Sequence, residues 1–174
     1  MCTYSPIETE LAYLAGILDS DGCIFITRRS PDKSRRYISV VHSAIIVIAQ
    51  IHPEALELFS KCFGGKIHNY TPQSRETFPH RRPLYRLTIS SSQQTGKCIR
   101  ALLPYLRLKL PQAHLALQLV ELREQHRMRQ SKTFGVAIPI EEMQKRDKLW
   151  EEMRDLNTSN GKGHHRPQKC RLFS

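Results

Sequence analysis

The run Leu14-Ala15-Gly16-Ile17-Leu18-Asp19-Ser20-Asp21-Gly22 sets two carboxylates and a glycine directly after an apolar stretch. It reads as the end of a helix that places a carboxylate just past its C-terminus. The helix dipole is already negative there, so Asp21 is poorly placed for stability and a cation would repair the mismatch. Gly22, beside it, is free to take unusual dihedrals at the tight turn before the next segment. The plainer alternative makes Asp19 and Asp21 capping residues of an Asx-type turn, and a D-x-D-G pattern alone does not decide between the two. Ala12 and Gly16 lie one turn apart on a shared helix face, small enough to let a second helix approach closely.

Other chemistry is harder to assemble. No convincing Ser-His-Asp or Cys-His constellation occurs, and His164-His165 sit between Gly163 and Arg166-Pro167 as part of a basic tail. The five cysteines (Cys2, Cys23, Cys62, Cys98 and Cys170) are scattered without C-x-x-C pairing, which points to reduced thiols and an intracellular setting. Lys and Arg total 27 against 16 Asp and Glu, a formal net charge of +11 on 174 residues. Such a surplus favours polyanions: DNA, RNA or an anionic membrane surface. No apolar run reaches the roughly 18–20 residues of a spanning helix. The start, Met-Cys-Thr-Tyr-Ser-Pro, lacks the basic region and long apolar core of a signal peptide.

The elements that must position these residues follow from periodicity and punctuation. A helix is expected over Ile7 to Leu18, with Glu8 and Glu10 in its first turn, and strands over Cys23 to Arg29 and Tyr37 to Gln50. The alternation of the second strand is too blurred to assign its faces. Pro53 opens a helix that runs to Phe63 and stops at Gly64-Gly65. A short strand, Lys66 to Thr71, and a polar loop, Pro72 to Pro83, precede the cleanest strand, Leu84 to Ser90. Helices are expected at Gln93 to Leu103, Pro111 to Arg129 and Ile140 to Leu156, the last strongly amphipathic. A single domain over residues 1–156 and an irregular basic tail over 157–174 complete the chain. Sequential strands on short loops pair as hairpins, so the fold is α+β: a four-stranded antiparallel sheet with helices on one face.

The nonapeptide resembles the LAGLIDADG signature at Leu14, Ala15, Gly16, Ile17, Asp19, Asp21 and Gly22, departing at Leu18 and Ser20. The element order, Pro104-Tyr105-Leu106-Arg107-Leu108-Lys109 with Gln112-Ala113, and Asp155-Leu156-Asn157 extend the likeness over roughly Thr9 to Lys162. Together they are similar to the single-motif, homodimeric homing endonucleases encoded by group I introns. That resemblance implies an αββαββα fold with a saddle-like sheet and extra C-terminal helices. It implies site-specific double-strand cleavage of a long pseudo-palindromic DNA target. Asp21 would be the metal ligand, Ser20 would lend a backbone carbonyl, Lys109 would polarise water at the scissile phosphate, and Gln50 would orient the attacking water. Arg107 competes with Lys109 for its role. The cofactor implied is Mg2+, with Mn2+ able to substitute and Ca2+ expected to bind without supporting cleavage.

One Asp21 per chain leaves a counting problem, because each DNA strand needs an active site and no internal repeat is found. A second copy would supply the other, with Leu11, Ala12, Ala15 and Gly16 at the dimer interface and a roughly palindromic target. Strand parity suggests which side chains enter the major groove: Thr27 and Arg29, then Lys66, His68 and Tyr70, then Arg86 and Thr88. Arg35, Arg36, Arg81 and Arg82 in the loops and Lys162 in the tail are expected on DNA as well. Two rival readings stand beside the nuclease: an RNA maturase that assists group I intron splicing, and a catalytically inert DNA-binding regulator on the same fold.

Overall fold

The computed structural model describes residues 4–31, 40–70, 84–132 and 138–159, except the side chains of residues 70, 129–132 and 159. The elements are α1 (Glu8–Asp21), β1 (Gly22–Arg29), β2 (Val41–Gln50), α2 (Glu54–Phe63), β3 (Lys66–Tyr70) and β4 (Leu84–Ile89). α3 (Ser92–Leu102), a 3-10 turn at Leu103–Tyr105, α4 (Leu110–Lys132) and α5 (Ile140–Ser159) follow. The strands form one antiparallel sheet in the order β1-β2-β4-β3. This is the expected α+β architecture.

Register assigns the faces. Ile24 lies opposite Ile46, Ile26 opposite Ala44, Ile46 opposite Ile89 and Ile48 opposite Leu87. These buried side chains pack against Leu14 and Leu18 of α1, Leu56 and Phe59 of α2, and Ile99 and Leu102 of α3 in one core. β2 looked irregular in sequence because Ile45, on the opposite parity, is buried too. Gly64 and Gly65 end α2 with φ of 80° and 103°, the left-handed region that side chains disfavour. A Cβ on Gly65 would also come within 2.9 Å of Ile89.

Three expectations need correction. α1 does not stop at Leu18 but runs through Asp21, so the carboxylate is the last helical residue rather than just beyond the helix. Gly22 has an ordinary φ of −84°. Its lack of a side chain matters for space instead, since a Cβ there would lie 2.4 Å from Leu18 Cδ1 and 2.6 Å from the Leu18 carbonyl oxygen. α5 is not strongly amphipathic along its length. Its inward face carries Glu142 and Arg146 before Leu149 and Met153, so its first half is held by charge and only its second half by apolar packing.

α5 is fastened to the sheet near its middle and at its C-terminal end. Arg28 Nε donates to Asp147 Oδ1 at 2.7 Å, and the buried His42 places Nε2 2.9 Å from the same oxygen. At the far end, Asn157 Nδ2 donates to the Ile24 carbonyl at 3.1 Å. The loop basics Arg35, Arg36, Arg81 and Arg82, and Lys162 with most of the tail, lie outside the described residues.

Candidate active site and nucleic-acid face

The end of α1 is tied to the bend that leads into α4. Asp19 accepts the backbone N–H groups of Arg107 at 2.7 Å, Leu108 at 3.2 Å and Lys109 at 2.9 Å, where α4 begins. Lys109 Nζ in turn donates to the Asp19 carbonyl. Each helix end leaves backbone groups unpaired and carries a partial charge. A carboxylate meets the positive end of α4, and an ammonium meets the negative end of α1. Burial raises the Asp19 carboxyl, but the N–H groups of Arg107, Lys109 and Leu108 and the Lys109 charge hold it below the usual carboxylate range. Burial lowers the Lys109 ammonium, a drop that Asp19, Cys23 and Asp21 only partly oppose.

Asp21 projects beside this joint. Gln50, the last residue of β2, donates from Nε2 to Asp21 Oδ2 at 2.6 Å. The pairing of Gly22 with Ile48 brings the two together, because the strand leaving α1 runs directly against the end of β2. Lys109 is near enough to feel the Asp21 charge. Asp21, Gln50 and Lys109, named from distant parts of the sequence, therefore share one locus. Arg107 is exposed and meets Asp19 through its backbone.

The donors fit a hard cation. Asp21 is exposed at the negative end of α1, whose last turn holds no basic residue. Among the described residues no ion pair to Asp21 is found. Its carboxylate, the Ser20 carbonyl and the Gln50 amide oxygen suit Mg2+ or Ca2+ rather than a soft metal. Among the described residues of one chain, however, no group of three acidic, His or Cys side chains gathers around a point. Of the two motif carboxylates in one protomer, Asp21 is exposed, whereas Asp19 is taken up by the N–H groups of Arg107, Leu108 and Lys109.

The sheet face opposite the helices is the second feature. Lys66 lies beside Thr88 and His68 beside Arg86 across β3 and β4. Phe25 and Thr27 of β1 share that side with Ile45 and Val47 of β2. Lys66, His68, Arg86 and Thr88 line a groove of about 570 Å³ with Phe25, Ile45 and Val47. Thr27 Oγ1 also donates to the Ser43 carbonyl at 3.3 Å, and Arg29 is exposed at the end of β1. For Tyr70 the backbone position alone is described.

Solved structures with this arrangement decide the fold. I-CvuI, a homing endonuclease in complex with its target, matches with a TM-score of 0.62 over 85% of this chain and 82% of its own, at 19% identity. I-Vdi141I, an archaeal intron-encoded homing endonuclease complexed with DNA, matches at 0.65 over 86% and 84%, at 16% identity. The chain has the LAGLIDADG homing-endonuclease fold. I-SmaMI, a LAGLIDADG homing endonuclease bound to cleaved DNA, matches at 0.61 and 16% identity over 91% of this chain but 49% of its own. This chain thus corresponds to about half of that larger protein. No protein-family model and no curated protein matches the sequence.

Within the homing-endonuclease fold, the α1 residues named for an interface divide. Ala12 and Gly16 are exposed, with Tyr13 beside them at 56% exposure. Nothing stands within 4 Å of a Cβ built on Gly16. Ala15, by contrast, is fully buried in its own protomer, and Leu11 packs against the protomer's core. They face inward because the apolar side of α1 is needed by Leu14, Ile17 and Leu18. The residue that sequence reasoning missed is Asp19, whose partners lie 88 to 90 positions away. The only signal was its place in the motif.

Proposed function

We propose that the protein is a site-specific double-strand DNA endonuclease of the homing type, acting as a homodimer with a divalent cation, Mg2+ in the first instance. The observation that carries this reading is the joining of Gln50 to Asp21 beside Lys109, at the border of a basic sheet face. DNA complexes of the structural neighbours, including I-CvuI with Ca or with Mg, support it.

In this reading Asp21 and the Ser20 carbonyl hold the cation and Gln50 fixes the carboxylate's orientation. The cation, when bound, supplies positive charge against the phosphoryl oxygens and acidifies water. Lys109, anchored on the end of α1, presents its ammonium to the scissile phosphate. Because each chain brings one Asp21, two chains meet through the exposed Ala12/Gly16 side of α1 and set one carboxylate against each strand. Arg86, Thr88, Lys66 and His68 lie against base edges, and the basic loops lie on phosphates.

The test is cleavage of a randomised-site DNA library in Mg2+, with Asp21→Asn as the comparison. Asparagine keeps the shape and loses the charge that holds the cation. Loss of several kcal/mol of charge stabilisation slows cleavage by at least about a thousandfold, while DNA binding stays near wild type. Substantial cutting by pure Asp21→Asn protein would sink the assignment.

A further inference from the structure

The outward face of the sheet is chemically divided. On the β3–β4 half, register sets Lys66 beside Thr88 and His68 beside Arg86, all polar or cationic. On the β1–β2 half, the part next to α1 sets Cys23 beside Val47 and Phe25 beside Ile45, chiefly carbon, and the polar pair Thr27 and Ser43 follows further out. Both halves border the same groove. The apolar half lies outside the main core, which joins Ile24, Ile46 and Ile48 to residues of all five helices and leaves out Phe25, Ile45 and Val47. Ile45 is only 4% exposed although it points away from the helices, whereas Phe25 and Val47 keep part of their surface open.

Carbon side chains in a DNA-facing groove neither donate nor accept a hydrogen bond. The apolar group that duplex DNA offers in its major groove is the C5-methyl of thymine. We infer that Phe25 and Val47, backed by Ile45, form a subsite for thymine methyl groups in each half-site. This rests on the nuclease reading above and adds to it a base identity. The place along the target follows from register. Val47 lies opposite Cys23, two positions after Asp21, so these thymines fall in the inner part of the half-site, next to the cleavage position. Phe25 lies one same-face step further out, roughly 7 Å, or about two base-pair steps. Charge complementarity from Lys66 and Arg86 along the same groove favours DNA over an apolar protein partner as the occupant.

The test begins with selection of a bound site from a randomised duplex library by the whole protein in Ca2+. The site is then resynthesised with deoxyuridine replacing each thymidine in turn, which removes the methyl and leaves every hydrogen-bonding edge intact. Wild type should bind about fourfold more weakly for each buried methyl lost, at symmetric positions near the centre only. Val47→Ser removes both methyls of a partly exposed side chain and Phe25→Ser removes a partly open ring. In these variants the thymine–uracil difference should vanish at the corresponding position while the rest of the site is still bound. Equal binding of thymine and uracil at every position would overturn the inference and leave the nuclease reading intact. So would a difference that persists unchanged in both variants. A library yielding no bound duplex at all would remove the nuclease reading, and this inference with it.

Discussion

Asp19 supports the site without touching the reacting groups as proposed. Its carboxylate holds three backbone N–H groups at the start of α4, and one of them belongs to Lys109. Losing hydrogen bonds to a charged group of this kind costs about 1.5–3 kcal/mol. Asp19→Ala should therefore lower the unfolding free energy by that amount, and it should also slow cleavage under conditions where the variant is fully folded, because Lys109 loses its seat. A variant that melts earlier yet cuts at the wild-type single-turnover rate would separate the joint from the chemistry. The acid limit follows from the same group. The Asp19 carboxyl is held below its ordinary value in the folded chain, so its contribution is complete above the unfolded value of about 3.9 and fades as pH falls through the folded one. At this scale the sequence displayed Asp21 through its motif. It hid Asp19's work, because hydrogen bonds between residues some ninety positions apart leave no local pattern.

Among the elements, α1 carries two duties on two sides. Its inner side belongs to the core, and its outer side, with Ala12, Tyr13 and Gly16, is open. Gly16→Leu meets nothing within the protomer, so the variant should keep its helical signal. It should nonetheless sediment as a monomer and fail to make double-strand breaks. A dimer that persists and cuts would place the interface elsewhere. The last turn of α1 escaped sequence analysis because Asp-Ser-Asp resembles a stop, such side chains competing with the helix for backbone groups. Asp19 does not compete here, since its oxygens are occupied by α4, and the helix continues. α5 offers a second test. His42 is buried against Asp147; burial lowers its proton affinity more than Asp147, opposed by Arg28 and Arg146, restores it. With a folded value below the unfolded one of about 6.5, stability is full at neutral pH and declines as pH falls below that value toward the folded one. Melting temperatures at pH 7.5 and 5.5 should show this decline, and His42→Asn should flatten it.

For the whole molecule, net charge announced a polyanion but could not say where it would lie. Strand parity supplied candidates, and register was needed to bring Lys66, His68, Arg86 and Thr88 onto one surface. Register was beyond reach in the sequence because the second strand buries residues of both parities. If this surface reads bases, Arg86→Ala should cost about 1–3 kcal/mol on the preferred site and relax preference at symmetric positions in both half-sites. Lys162→Ala, altering a tail residue expected on phosphate, should weaken all targets alike and flatten the dependence of log affinity on log salt. Binding to the preferred site and its single-base variants at several salt concentrations distinguishes the two. Uniform loss for Arg86→Ala would show that this face does not read sequence.

β2 carries Val47 on the groove and, three positions later, Gln50 on Asp21. Along an extended strand that is roughly 10 Å, with no hinge between. On the proposed reading, a duplex that fits badly at Val47 pushes on the same rod that steadies the carboxylate. An ill-matched site is then penalised twice, once in residence and again in turnover. Fidelity measured as cutting should exceed fidelity measured as occupancy, and a genome could hold many sites that this protein visits and leaves whole.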